Sequence, residues 1–165
     1  QEIRFRVLRE FLPDDLSDLT LVDAGCGFGD FYCYLTREGE PPHQYIGLDV
    51  MQPMVETARE RTGCEIWILD VLKDPLPEAD YYLCSGAMNT LTREESAQFI
   101  RNCYEASTKG FAFNLLKGWN TSPIFNYYQP REIRRLAQEL DVDDYRIVEG
   151  YLAGDFSAIF LKPSA

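Results

Sequence analysis

The sequence has 165 residues, of which 45% are apolar and 26% are charged, as in ordinary globular domains and unlike disordered or fibrous proteins. Acidic residues outnumber basic ones 27 to 16, and the resulting net charge of −11 disfavours nucleic acid and anionic membranes as partners. The apolar runs are far shorter than a membrane-spanning helix requires, so we also expect no membrane insertion. The five cysteines are widely spaced and His43 is the single histidine, which predicts reduced thiols in the cytoplasm and no metal site.

The elements follow one another in the order of an α/β protein. An amphipathic helix is predicted over 2–12, followed by strands at 19–24, 45–50, 64–69, 81–84 and 110–116 with helical or loop segments between them. Helix start signals lie at Pro53, at Thr92 with its capping partner Glu95, and at Pro130. This repetition predicts one domain with a mostly parallel sheet and helices on both faces. Two further strands, 145–152 and 156–161, lie too close together for a crossover helix and are predicted to form an antiparallel hairpin.

The segment LTLVDAGCGFGDFYCYL carries the strongest signal for a ligand-binding site. An apolar strand runs into Gly25, Gly27 and Gly29, which permit a sharp turn and a close approach of the backbone to a ligand. Asp49 ends the next strand, where a carboxylate can accept hydrogen bonds from the hydroxyls of a ribose. The spacing is GxGxG, and Asp30 follows it where a negative charge would repel a pyrophosphate. We therefore expect a ligand that contains a nucleoside but is not polyanionic.

These residues resemble the class I S-adenosylmethionine-dependent methyltransferase family, in its small-molecule type, and the resemblance covers nearly the whole chain. VDAGCGFG is similar to the first motif of the family, and YIGLDV, WILDVLKD and ADYYLCSGAMNTL resemble its next segments in the right order. The resemblance implies an α/β fold, a three-layer Rossmann-like sheet of seven strands that is mostly parallel, with an antiparallel last strand inserted beside the fifth. It also implies S-adenosyl-L-methionine as the cofactor and S-adenosyl-L-homocysteine as the product.

The resemblance further implies roles for residues at the strand ends. Asp23, Gly25 and Gly27 would line the methionine end of the cofactor, and Asp49 would hold the ribose hydroxyls. Asp70 matches the acid that accepts a hydrogen bond from the adenine amino group. The full set of expected cofactor-binding residues is Asp23, Gly25, Cys26, Gly27, Asp49, Val50, Met51, Asp70, Val71, Ser85 and Gly86.

The motifs do not identify the methyl acceptor or a catalytic base. SGAM stands at the end of the fourth strand instead of the Asn-Pro-Pro-Tyr-like motif, which disfavours methylation of DNA adenine and of glutamine. The lack of a histidine near the later strands weakens the comparison with catechol-type and plant-type oxygen methyltransferases. The segment 114–136 resembles the border of the acceptor pocket in small-molecule methyltransferases, although its aromatic residues could instead pack on the sheet. The candidate substrate residues there are Trp119, Asn120, Tyr127 and Tyr128.

The sequence thus predicts methyl transfer to a small molecule by in-line displacement, with oxygen, nitrogen and carbon all open as the acceptor atom. A non-catalytic module that binds the cofactor or a nucleoside remains an alternative, and a protein methyltransferase is a less favoured one. An NAD(P)-dependent oxidoreductase is disfavoured by GxGxG and by the lack of a Tyr-x-x-x-Lys dyad. Only one short helix precedes the first strand, so we expect a short or truncated lid over the cofactor; the oligomeric state is not predicted.

Overall fold

A seven-stranded sheet forms the centre of the protein, which the computed structural model describes at residues 1–119 and 121–164. The strands lie in the order β3-β2-β1-β4-β5-β7-β6. β1 to β5 run parallel, and β7 pairs antiparallel with both β5 and β6, which confirms the predicted hairpin and its place beside the fifth strand. The strand bounds are β1 (Thr20–Ala24), β2 (Gln44–Asp49), β3 (Glu65–Ile68), β4 (Ala79–Cys84), β5 (Ser107–Leu116), β6 (Asp144–Glu149) and β7 (Asp155–Leu161).

Helices cover both faces of the sheet, as predicted for a three-layer α/β protein. The helix bounds are α1 (Glu2–Phe11), α2 (Asp30–Arg37), α3 (Gln52–Thr62), α4 (Arg93–Ala106) and α5 (Pro130–Glu139), with a 3₁₀ helix at Ala87–Thr90. α1, α2 and α3 pack on one face, where their apolar side chains form two buried clusters with the strands. α4 and α5 pack on the other face in the largest cluster. None of the described helices is both long and apolar enough to cross a membrane.

The predicted helix starts are confirmed by the capping interactions. Pro53 lies in the first turn of α3 and Pro130 is the first residue of α5, positions where the missing amide proton costs nothing. Thr92 and Glu95 make both hydrogen bonds of a capping box at the start of α4. These local signals fix where the helices begin, and thereby how closely each follows its strand.

Two strand boundaries differ from the prediction. β5 begins at Ser107, three residues earlier than the apolar run, because α4 passes into it without an intervening loop. β6 ends at Glu149 instead of residue 152, because the next residue, Gly150, has a φ of +82°, a left-handed conformation that ends the extended strand. Neither difference changes the strand order.

Candidate functional site

The carboxyl ends of β1, β2, β3 and β4 meet at one edge of the sheet and surround two adjoining cavities. The larger cavity has a volume of about 500 Å³ and the smaller one about 130 Å³, and both are lined by Gly25 and Gly27. The smaller cavity is also lined by Asp23, Cys26 and Ser85. Seven of the residues predicted to bind the cofactor line the larger one: Gly25, Gly27, Asp49, Val50, Met51, Asp70 and Val71. Topology thus brings residues far apart in sequence to one place.

The turn after β1 leaves no room for a side chain at Gly25. Its φ is +74°, and a Cβ atom there would lie 2.3 Å from the Cβ of Ala87 in the 3₁₀ helix. The amide of Gly25 donates to the carbonyl of Leu48 at 2.7 Å, which ties the turn to the end of β2. Glycine at this position therefore lets the turn after β1 lie directly against the segment after β4.

Asp49 holds the glycine turn and lines the larger cavity at the same time. Its Oδ2 atom accepts a hydrogen bond from the amide of Gly27 at 2.9 Å, and its Oδ1 atom accepts one from the amide of Met51 at 3.0 Å. A carboxylate has about four acceptor positions, so two bonds leave capacity for a ligand. The side chain is partly exposed, and its orientation is fixed before any ligand arrives.

Asp70 also stabilises a turn and lines the larger cavity at the same time. Its Oδ1 atom accepts a hydrogen bond from the amide of Leu72 at 2.9 Å, and its own amide donates to Oδ2 of Asp74 at 2.8 Å. These bonds fix the turn after β3 and hold the Asp70 carboxylate at the wall of the larger cavity. Capping the turn and lining the cavity are therefore compatible.

Asp23 is the most buried carboxyl group of the site, with 4% of its surface exposed. The hydroxyl of Tyr45 donates to its Oδ2 atom at 2.5 Å. Burial raises the pKa of Asp23 to about 7, and the nearby carboxylates of Asp49 and Asp30 act in the same direction, whereas the Tyr45 hydrogen bond lowers it. Near neutral pH this group is therefore divided between its two protonation states.

The site has a negative electrostatic character. Among the described residues, those that line either cavity include the carboxylates of Asp23, Asp30, Asp49 and Asp70, and they include no lysine, arginine or histidine. Such a lining repels the phosphates of a dinucleotide and favours a neutral or positively charged ligand.

Asn114 supports the turn after β4, and its part in the site was not predicted from the sequence. This side chain is 2% exposed; its Oδ1 atom accepts from the amide of Gly86 at 3.0 Å, and its Nδ2 group donates to Oγ of Ser85 at 2.9 Å. Gly86 itself has a φ of +87°, so the turn needs both the glycine and its partner on β5. The one available signal was an asparagine inside the apolar run FAFNLL.

Two of the predicted cofactor-binding residues, Gly86 and Cys26, are placed differently from the others. Gly86 adjoins Ser85 but lines neither cavity. Cys26 lines the smaller cavity, yet its sulfur packs over Gly47, where a Cβ atom would lie 2.7 Å from Sγ. Burial raises the pKa of the Cys26 thiol well above its usual value, so this sulfur is a packing group and not a nucleophile.

Other parts of the cavity walls were missed by sequence analysis. The larger cavity is lined by Thr90 of the 3₁₀ helix, by the next residue, Leu91, and by Phe99 of α4. The smaller cavity is lined by Gln1 and by Phe5 of α1. Residues on these helices carry no motif, because any apolar side chain of suitable size can form such a wall.

Three of the four predicted acceptor residues lie in the described part of the chain. Trp119 is 72% exposed, with the Arg131 guanidinium 5.0 Å from its ring centre. Tyr128 is buried in the core beneath Arg93, and Tyr127 is partly buried. None of these three lines either cavity. Asn120, the fourth, lies outside the described residues.

Comparison with known proteins gives one family and many similar folds. Residues 21–110, more than half of the chain, match the sequence family described as a methyltransferase domain. No curated protein sequence matches the chain.

Three solved structures illustrate the similarity of fold. Magnesium protoporphyrin IX methyltransferase from Synechocystis, with bound SAH, has a TM-score of 0.79 and 14% identity, covering 98% of this chain and 83% of that one. Human N-acetylserotonin methyltransferase in complex with SAM has a TM-score of 0.74 and 16% identity over 98% of this chain and 52% of that one. An S-adenosylmethionine dependent methyltransferase from Mesorhizobium loti has a TM-score of 0.73 and 19% identity over 97% and 98%. At these identities the likeness concerns the fold.

Proposed function

Because this chain belongs to the family of S-adenosylmethionine-dependent methyltransferase domains, we propose that it transfers a methyl group to a small-molecule acceptor at the two cavities. The observation that carries the proposal is the pair of adjoining cavities at the carboxyl ends of β1 to β4, which share a glycine turn and are lined by acidic side chains. S-adenosylmethionine supplies a methyl group bound to a positively charged sulfur. A nucleophilic atom of the acceptor can bond to the methyl carbon and displace the sulfur, which leaves as a neutral thioether.

The cavities fit such a cofactor in size and in charge. A volume of about 500 Å³ lies within the roughly 300–1,000 Å³ of small-molecule sites. The acidic lining suits a ligand with an ammonium and a sulfonium group. A dinucleotide would place its phosphates against the same carboxylates.

Each strand end has a distinct task in this proposal. Asp49 accepts hydrogen bonds from the ribose hydroxyls with the acceptor positions that Gly27 and Met51 leave open. Asp70 accepts from the adenine amino group, and the apolar side chains of Leu91 and Phe99 contact the base. The methionine end lies toward the smaller cavity, beside Asp23 and the turn at Ser85 that Asn114 supports.

The aromatic side chains around the smaller cavity support a small-molecule acceptor. The cavity itself, of about 130 Å³, takes the methionine end of the cofactor, and Phe5, Phe28 and Phe31, which line it, offer apolar contacts to an acceptor beside that end. α1, which brings Phe5 there, serves as a short lid of a single methyltransferase domain over 1–165. Two of the proteins with a similar fold are methyltransferases of magnesium protoporphyrin IX and of N-acetylserotonin, which are small molecules and not proteins.

In this proposal the protein promotes the reaction by positioning the acceptor and by excluding water from the site. The residues around the smaller cavity bring the acceptor atom into line with the transferred group and exclude water, which can supply much of the rate in a displacement with a neutral leaving group. No catalytic base is assigned.

Binding and transfer can be tested in one set of experiments. Calorimetry should show binding of S-adenosylmethionine and S-adenosylhomocysteine but not of NAD, and failure to bind either sulfur nucleoside would refute the proposal. A cell extract should then be separated into a small-molecule fraction and a macromolecule fraction. Each fraction should be incubated with the protein and radiolabelled S-adenosylmethionine. Label in the small-molecule fraction supports the proposal, and label only in protein indicates a protein methyltransferase. Binding without any transfer favours a non-catalytic module.

A further inference from the structure

Tyr45 is a buried polar side chain whose position in the strand serves the site and not the core alone. It lies on β2 two residues before Gly47, the residue that pairs with Asp23 of β1. Its hydroxyl therefore reaches the carboxylate of Asp23, at 2.5 Å, while the residue as a whole is 3% exposed. A phenylalanine would fill the same space in the apolar cluster, so the hydroxyl needs a separate explanation.

The groups around Asp23 oppose its ionisation. Asp49 at the end of β2 and Asp30 at the start of α2 are negative, and the neighbouring thiols are Cys26 of the turn and Cys84 of β4. Arg61 pairs with Asp30 at 2.6 Å and does not neutralise Asp23. The Tyr45 hydroxyl is thus the contact that favours the ionised form, because a carboxylate accepts a hydrogen bond more strongly than a neutral carboxyl group does.

The hydroxyl is held in place by the packing of its ring. The ring centre of Tyr45 lies 4.9 Å from that of Tyr32, and the side chain belongs to the same buried cluster as Val55 and Ile66. Burial also raises the pKa of Tyr45 well above its usual value, so the group remains a donor throughout the neutral range. Asp23, in turn, lines the smaller cavity.

We propose that Tyr45 is a positioning residue for the cofactor, which favours the ionised form of Asp23 and orients its carboxylate toward the ammonium group of the methionine moiety. This inference rests on the proposed function, since it needs the methionine end to lie beside Asp23. It adds a residue to which the sequence motifs assigned no role, and it makes ligand binding dependent on pH. Between about pH 5.5 and 7.5, below the usual pKa of an α-amino group, affinity should rise with pH as Asp23 ionises.

The test compares two ligands on four proteins. S-adenosylhomocysteine carries the ammonium group, whereas 5′-methylthioadenosine has the same adenosine and thioether without the amino acid. Their dissociation constants should be measured by calorimetry across about pH 5.5 to 7.5. The proteins are the unmodified chain, Tyr45→Phe, Asp23→Asn and the double variant, each first checked for folding by circular dichroism and thermal melting.

Tyr45→Phe should weaken S-adenosylhomocysteine binding by about tenfold at the acidic end of the range, since a hydrogen bond to a charged group corresponds to roughly one pKa unit or more. The difference should shrink as pH rises, and 5′-methylthioadenosine should bind both proteins equally. Asp23→Asn should bind S-adenosylhomocysteine weakly and without this pH dependence. In that background Tyr45→Phe should have no further effect, because Tyr45 acts through Asp23.

Three results would overturn the inference. A loss from Tyr45→Phe that is equal at every pH and for both ligands would show a structural role alone. An equal loss in the Asp23→Asn background would show that Tyr45 does not act through Asp23. Unchanged S-adenosylhomocysteine binding by Asp23→Asn would place the ammonium elsewhere while leaving the cofactor assignment intact. If the unmodified protein binds neither ligand, the proposed function itself fails.

Discussion

Asp49 accepts hydrogen bonds through both of its carboxylate oxygens. Replacing it removes a proposed acceptor for the ligand and also the bonds that hold the surrounding loop. Asp49→Ala should weaken S-adenosylhomocysteine binding at least tenfold, about 1.4 kcal/mol, because the ribose loses its acceptor and the amides of Gly27 and Met51 lose theirs. Calorimetry measures the change. Glu56→Ala, which removes an exposed carboxylate from α3, is the matched control and should bind as the unmodified protein does. An unchanged affinity in Asp49→Ala would contradict the ribose assignment.

The buried carboxyl of Asp23 makes the stability of the unliganded protein depend on pH. Its pKa is about 7 in the folded protein against 3.8 for a free side chain, so the folded state holds a proton that the unfolded state has released between these values. The contribution to the free energy of unfolding is therefore present below about pH 4 and is lost as pH rises to about 7.

Asp23→Asn removes this titration and should stabilise the unliganded protein more at about pH 8 than at about pH 5. Denaturant unfolding of both proteins at the two pH values measures the difference. The same substitution weakens cofactor binding in the proposal, so stability and function would move in opposite directions, as at many active sites. An equal effect at both pH values would show that Asp23 ionises normally.

Individual site residues could be predicted from the sequence only where a backbone constraint marks them. Gly25 is recognisable because its left-handed turn excludes other residues, and Asp49 and Asp70 are recognisable because they end successive strands. Tyr45 and Asn114 act through contacts across neighbouring strands, and a single tyrosine or asparagine within an apolar run does not reveal its partner.

Among the elements, α1 is joined to β7 by an ion pair. Arg4 donates from Nε and Nη2 to the two carboxylate oxygens of Asp155 at 2.8 and 3.0 Å, and the side chain of Asp155 is only 2% exposed. Tyr151 donates a further hydrogen bond to the same carboxylate at 3.3 Å. α1 thus depends on β7 for the position in which its first turn closes the smaller cavity.

Arg4→Gln should lower the free energy of unfolding by about 2 kcal/mol, less than the ~3–5 kcal/mol of a fully buried pair, because water reaches the arginine. The expected fall in melting temperature is about 4–8 °C. Arg6→Gln changes an exposed residue of the same helix and should have an effect within ~0.5 kcal/mol. Equal melting temperatures for the two variants would show that the ion pair does not hold α1.

The elements themselves were largely predictable because their ends carry local signals. Proline and the capping box mark the starts of α3, α4 and α5 regardless of the rest of the fold, whereas the end of β6 before Gly150 was predicted three residues too late. The segment 117–129 had no such signal. Its aromatic side chains were compatible with an acceptor pocket or with packing on the sheet, and in the structure Tyr128 belongs to the largest core cluster, with Arg93 over its ring.

At the scale of the whole molecule, the net charge of −11 and the acidic cavities act together on a cationic ligand. S-adenosylmethionine carries one net positive charge and S-adenosylhomocysteine carries none, so the field of the protein favours the cofactor over its product. Raising the salt concentration from about 0.05 M to about 0.5 M should weaken binding of the former several-fold, because screening shortens the reach of this field. Binding of the latter should change by less than about twofold. Calorimetry at the two concentrations tests this, and equal losses would contradict it.

The position of β7 between β5 and β6 sets an order of events during synthesis. The strand that completes the interior of the sheet follows all the others in the chain, so β5 stays without one neighbour while its fully buried residues Phe111 and Phe113 are already made. An unpaired apolar edge of this kind promotes association with other chains. The nascent protein is therefore most vulnerable to aggregation between the release of β5 and of β7 from the ribosome, and slower translation of the 38 residues at 117–154 would prolong that interval.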